Sequence, residues 1–170
     1  MRSAALALAL IATPLAAQER PQPFLASGES LEAESRADLN GDGLTDLAYI
    51  ARGEDMRELR VVTSYVSKTD FGENPAQVLA LDPYPLGDAT IIVKNKVLLL
   101  EDLTGGTTAI ASTHRFRWDA KLEAMRLIGL NATLYSRTYA HDGRRASWNL
   151  LTGTLDTRTL KLNKGLGDPA

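Results

Sequence analysis

The chain has 170 residues, 44% hydrophobic and 24% charged, with 19 Lys and Arg against 21 Asp and Glu and no cysteine. The near-neutral balance excludes the strongly basic surface of a general nucleic-acid binder, so no nucleic-acid partner is expected. The missing cysteines exclude a disulfide framework, thiolate metal sites and a cysteine-borne lipid anchor. Charge is nonetheless polarised: residues 18–113 carry 8 Lys and Arg against 16 Asp and Glu, while residues 114–170 carry 10 against 5. Two halves of opposite sign attract each other within one domain; a basic face for an anionic polymer is the other reading.

At the N-terminus, Met1-Arg2-Ser3 supplies a positive charge, residues 4–12 form an apolar run, and Thr13-Pro14-Leu15-Ala16-Ala17 closes it with small residues. This is the layout of a cleaved secretory signal over residues 1–17, in a run too short to span a bilayer. The product expected is exported to the bacterial periplasm or secreted, with no stable membrane anchor. Residues 18–30 contain Pro21 and Pro23 without periodicity and are expected to form a flexible lead-in. A single β domain is expected over 31–165.

The chemistry is concentrated in Asp38-Leu39-Asn40-Gly41-Asp42-Gly43-Leu44-Thr45-Asp46. Oxygen donors recur at every second residue, and glycine at the sixth position permits a sharp turn. That spacing brings Asp38, Asn40, Asp42, Asp46 and the carbonyl of Leu44 towards one hard cation, Ca²⁺. Carboxylates placed this close repel one another unless a cation lies between them. A helix-loop-helix calcium site requires a bidentate Glu at position 12, where this chain has Tyr49, and Asp46 runs directly into an apolar stretch instead of a helix. The ninth residue, Asp46, must then supply the terminal carboxylate. A loop whose protein oxygens fill the coordination sphere implies structural calcium. At a dissociation constant of ~10⁻⁴ M and ~10⁻³ M free calcium, linkage adds about 1.4 kcal/mol.

Beyond the loop the pattern is that of strands. Leu47–Ala51 is apolar, and Glu58–Val66 is rich in β-branched and aromatic residues. Asp82–Asp88, with two prolines and a glycine, reads as a rigid connection. Thr90–Leu100 predicts a hairpin turning at Asn95. In Ser112–Trp118 strict alternation puts His114, Phe116 and Trp118 on one side and Arg115 and Arg117 on the other. Lys121–Leu130 favours helix by propensity, but Asp119-Ala120 before it resembles a hairpin turn, and a strand is expected. His141-Asp142-Gly143-Arg144 predicts an Asp-Gly turn, with strands near Ala146–Leu151 and Thr154–Lys161. The tally is about nine short strands and little helix, hence an all-β, antiparallel, sandwich-like domain.

The loop from Asp38 to Ala48 resembles the calcium loop of FG-GAP or VCBS repeats, which is familiar from integrin alpha-chain propellers and many exported bacterial proteins. That resemblance implies Asp38, Asn40, Asp42, Asp46 and the Leu44 carbonyl as ligands, with Gly41 and Gly43 shaping the turn. A looser likeness, to small Gram-negative periplasmic proteins with one such loop, rests on Arg115-Phe116-Arg117-Trp118, Leu127-Ile128-Gly129 and Ser147-Trp148-Asn149-Leu150-Leu151-Thr152-Gly153 in that order. It implies fold and compartment and carries no activity.

Other motifs are sparse. The two histidines, His114 and His141, form no His-Glu-x-x-His or His-x-His pattern, and there is no Gly-x-Ser-x-Gly elbow or phosphate loop. Trp118, Trp148, Tyr135, Tyr139 and Arg115, Arg117, Arg137, Arg144 and Arg145 offer material for an aromatic and cationic ligand face. The function expected is a non-catalytic, calcium-stabilised binding domain whose partner is an envelope protein or a cell-wall glycan. Two alternatives stand beside it: an inhibitor or immunity protein of a secreted enzyme, and an envelope hydrolase using a carboxylate or His114. Oligomeric state is left open.

Overall fold

Asp46-Leu47-Ala48-Tyr49-Ile50-Ala51-Arg52 carries apolar side chains at successive positions, a pattern that needs cover on both faces of a strand. The computed structural model describes residues 21–162 and supplies that cover. The expected signal segment 1–17 and residues 163–165 lie outside the described residues. Twelve strands form among the described residues: β1 (Ser30–Ala37), β2 (Asp46–Arg52), β3 (Arg57–Val62), β4 (Ser64–Val66), β5 (Phe71–Glu73), β6 (Gln77–Ala80), β7 (Thr90–Lys94), β8 (Val97–Gly105), β9 (Thr108–Asp119), β10 (Ala124–Ser136), β11 (Gly143–Asn149) and β12 (Thr154–Leu160). No helix forms among them.

All pairings are antiparallel. One sheet has the order β1-β2-β3-β6, a second runs β12-β11-β10-β9-β8-β7 without crossover, and β4 with β5 makes a small hairpin. The fold is thus all-β and sandwich-like. Ala48 and Ile50 of β2 and Leu59 and Val61 of β3 pack on Ile91, Leu98, Leu100, Phe116 and Met125 of the six-stranded sheet, with Leu39 and Ala89 closing the margins. On the opposite face of β2, Leu47, Tyr49 and Ala51 pack with Val62 and Leu25.

Leu25 belongs to the stretch expected as a lead-in. The Tyr49 hydroxyl and Arg60 Nη1 both donate to the Phe24 carbonyl at 3.1 Å, Arg36 Nη2 donates to the Pro21 carbonyl at 3.0 Å, and Arg60 pairs with Glu29 at 2.7 Å. The outer apolar face of β2 attracts this cover, and β1 begins within the same stretch, at Ser30.

A buried ion cluster joins the sheets. Arg57 is 1% exposed and shares the β3 face of Leu59 and Val61. Its guanidinium donates from Nε and Nη2 to Glu32 at 2.7 Å each, to the Asp102 carboxylate at 3.0 and 2.9 Å, and to the Asp82 carbonyl at 3.2 Å. Glu32 also accepts the Ala89 N–H at 2.7 Å. Burial alone would push Glu32 up and Arg57 down, but the charge-assisted bonds prevail, holding Glu32 below and Arg57 above its ordinary value. The cluster thereby ties β1, β3 and β8 together.

The six-stranded sheet extends past its partner. Its core side continues across the strands as the row Leu100, His114, Leu130, Trp148, Leu155. The opposite side carries the polar row Glu101, Thr113, Asn131, Ser147, Asp156.

Candidate functional site

The Asp- and Asn-rich segment connects β1 to β2, with Ala37 paired to Asp46 at its base. Leu39, 1% exposed, plugs it into the core. Gly41 and Gly43 have φ of 90° and 87°, values that L side chains rarely adopt, which is why glycine occupies both bends.

Each expected ligand has a defined position. Asp38 accepts the Gly41 N–H at 2.6 Å and the Gly43 N–H at 3.3 Å, and its Oδ2 lies 3.4 Å from Lys96 Nζ. Asn40 accepts the Asp42 N–H at 3.0 Å and donates from Nδ2 to Asp42 Oδ2 at 2.8 Å. The other oxygen of Asp42 accepts the Leu44 N–H at 2.8 Å, and Leu44 itself is half-buried. Asp46 is fully buried. Its Oδ2 accepts the N–H groups of Leu39 and Asn40 at 2.8 and 3.3 Å, and its Oδ1 accepts the Ser64 N–H at 2.9 Å. Ser64 returns a bond from Oγ to the Thr45 carbonyl at 2.6 Å.

Burial pushes the Asp46 carboxyl above its ordinary value against these bonds, and the charge of Asp42 pushes the same way. In Asp38 the balance is reversed: desolvation is outweighed by the Gly41 N–H and Lys96, and its carboxyl lies below its usual range.

The donors are all oxygens, acidic residues dominate, and the chain path wraps as a cation loop does, so the chemistry fits a hard divalent ion. Among the described residues no three His, Cys, Asp or Glu side chains gather into a metal-holding group. One observed feature works against a cation: Lys96 places its own positive charge beside Asp38. The Asp46 carboxylate braces the loop to the start of β4, a contact that spacing alone did not reveal.

Beside the loop lies a cleft of about 560 Å³, lined by Asn40, Thr63, Gln77, Trp118 and Glu123 among others. Its size is within the roughly 300–1,000 Å³ of small-ligand sites. Trp118 packs against the core from its position on β9. Gln77 is locked by two bonds to the Met125 backbone, donating at 2.8 Å and accepting at 2.7 Å. Glu123, in the turn between β9 and β10, adopts φ 49°, a left-handed conformation uncommon for a side chain of this size.

The aromatic and cationic residues divide between the two sides of the six-stranded sheet, with Arg144 on the side of Trp148 and Tyr135 on the side of Arg115. By strand alternation Trp118 and Trp148 lie on the core side of the six-stranded sheet, whereas Arg115, Arg117 and Arg145 lie on the other. His114 is half-buried and stacks on Phe116 with ring centroids 6.3 Å apart. Its buried Nδ1 has no hydrogen-bond partner, and burial lowers its pKa against the opposing charge of Asp102. His141 is exposed, bonded at 2.9 Å to the Thr108 hydroxyl.

The Arg57 cluster was missed at the level of sequence. Its one signal was an arginine in step with Leu59 and Val61. Lys96 and Ser64 reach the loop from distant segments, and no local pattern announces them. Fold and loop together define a class, an antiparallel sandwich-like domain with an Asp/Asn-rich loop at its margin. No protein-family model matches the chain, and no curated protein does.

Proposed function

We propose that this chain is an exported, non-catalytic binding domain of the bacterial periplasm, stabilised by Ca²⁺ held at Asp38, Asn40, Asp42, Asp46 and the Leu44 carbonyl. Its ligand surface is the cleft beside the loop, and the ligand class is a cell-wall glycan. The observation that carries this reading is the shared position of Asn40, which belongs to the loop and also lines the cleft with Trp118 and Glu123. An aromatic ring beside amide and carboxylate groups suits a sugar, whose C–H face stacks on the ring while its hydroxyls take the polar groups. Export rests on the N-terminal segment, and calcium rests on the donor spacing and chemistry.

Metal and ligand are tested separately. Calorimetric titration of chelator-stripped protein with Ca²⁺ is expected to give saturable heat near millimolar concentration, and a flat trace removes the metal from the proposal. Asp42→Ala should erase the difference in melting temperature between calcium and chelator. Asp46→Ala should lower it in both, because three backbone N–H groups lose their acceptor, each worth about 1–3 kcal/mol if left unpaired. For the ligand, Trp148→Phe leaves Trp118 as the reporter tryptophan. Its fluorescence should change saturably with soluble peptidoglycan fragments, and an unchanged spectrum rejects the glycan in favour of an envelope protein.

A further inference from the structure

An unprotected sheet edge is a template for another strand, and folded proteins blunt such edges. The two main sheets have four edge strands among the described residues, β1, β6, β7 and β12. Three of them are managed. β1 carries a register shift between Leu31 and Ala33, β6 is only four residues long, and β7 lies against β1. β12 has none of these devices. It keeps unbroken register with β11 from Thr154 to Leu160, contains no proline or glycine, and is exposed at every residue except the last.

The sequence of this strand is Thr154-Leu155-Asp156-Thr157-Arg158-Thr159-Leu160, and it complements itself about its centre. Set antiparallel to a second copy with Thr157 opposite Thr157, it places Asp156 opposite the second copy's Arg158 and Arg158 opposite the second copy's Asp156. These side chains project from the polar side of the sheet. Within one strand they already pair at 3.1 Å while remaining 57% and 74% exposed. Two copies would make a four-charge cluster of alternating sign, with each carboxylate touching two guanidinium groups. Opposite charges across an antiparallel pair stabilise it, and like charges oppose it.

We propose that the protein forms a two-fold symmetric dimer by β12-to-β12 pairing, joining two six-stranded sheets into one of twelve strands. The interface is isologous, so one patch serves both copies and the pairing closes instead of propagating. On the other side of the merged sheet, Leu155 of each copy meets Thr159 of the other. The uncovered rows through Leu130, Trp148 and Leu155 thereby become one apolar floor between the two four-stranded sheets. A single edge pairing buries less than a standard interface, so micromolar or weaker association is expected.

Sedimentation equilibrium of the purified protein, from roughly 1 to 300 µM, is the test. The unaltered chain is expected to move from monomer to dimer across that range. Asp156→Arg and Arg158→Asp should each weaken dimerisation at least tenfold, and the double variant Asp156→Arg/Arg158→Asp should restore it. These side chains are exposed, so circular dichroism should be unchanged in all three. A monomer throughout overturns the proposal, as does a double variant no better than the single ones. A dimer that survives both single reversals but is lost in Trp148→Ser overturns it in favour of face-to-face packing.

Discussion

One row of side chains crosses the six-stranded sheet from one environment to another. Leu100 on β8 is 0% exposed, Trp148 on β11 is 43% exposed and Leu155 on β12 is 57% exposed, although all three lie on the same side. Apolar residues face this side at both ends; what differs is whether a second sheet lies above. An apolar face records how a strand is oriented, whereas burial, and with it stability, comes only from the partner packed on it. The covered end therefore holds the fold, and the open end is available for association.

The largest effect is expected at the tie between the sheets. Arg57→Ala leaves Glu32 and Asp102 as buried, unpaired carboxylates and should cost about 3–5 kcal/mol in denaturant unfolding. Next comes the direct contrast of the two ends. Phe116→Ala empties a site in the covered core and should cost about 3–5 kcal/mol, while Trp148→Ala, on the open face, should stay within about 0.5 kcal/mol in dilute protein. Similar losses at both positions would remove the distinction.

A pH scan sharpens it further. Glu32 lies below the 4.5 of an ordinary glutamate: burial would raise it, and the bonds from Arg57 and Ala89 more than offset that. A carboxylate lowered in the folded state contributes stability that is complete above its unfolded value and is lost as pH falls through the folded one. The melting temperature should therefore hold from pH 7 down to about 5 and drop below about 4.5, and this drop should be shallower in Arg57→Ala. The smallest change is expected at Lys96. Lys96 and Asn95 form the two-residue β7–β8 turn with φ of 61° and 52°. Lys96→Gly relieves a left-handed side chain, a gain of about 1 kcal/mol, and loses an exposed ion pair with Asp38 worth about 0–1 kcal/mol. A thermal melt should shift upward by no more than a few degrees, and a clear fall would give the ion pair the larger share.

The features legible in sequence were those in which local pattern and tertiary role agree. The hairpin at Asn95 was readable because both strands are apolar and the turn residue suits φ above zero. The alternation from His114 to Trp118 was readable because β9 has one face towards the core. β1 escaped notice because Ser30-Leu31-Glu32-Ala33-Glu34-Ser35-Arg36-Ala37 has a single large apolar residue, and Glu32 is buried through partners far along the chain, Arg57 and the Ala89 N–H. Helix propensity in Lys121–Leu130 gave way to pairing with β9, which holds most of β10 along its length. The Asp142-Gly143 pair does not form the expected turn; Gly143 opens β11 instead. A Cβ there would lie 2.8 Å from the Leu134 carbonyl, so close approach of neighbouring strands accounts for the glycine. In the loop, spacing indicated oxygen donors and bends but not Lys96 or Ser64.

The burial of β2 on both faces has a consequence for biogenesis. A chain emerging N-terminus first, from a ribosome or through a translocation pore, releases Leu47–Ala51 well before Leu98, Phe116 and Met125, which must cover it. Until Met125 follows, that greasy segment has no permanent neighbour on its inner side, and it is where a holdase chaperone would find its grip.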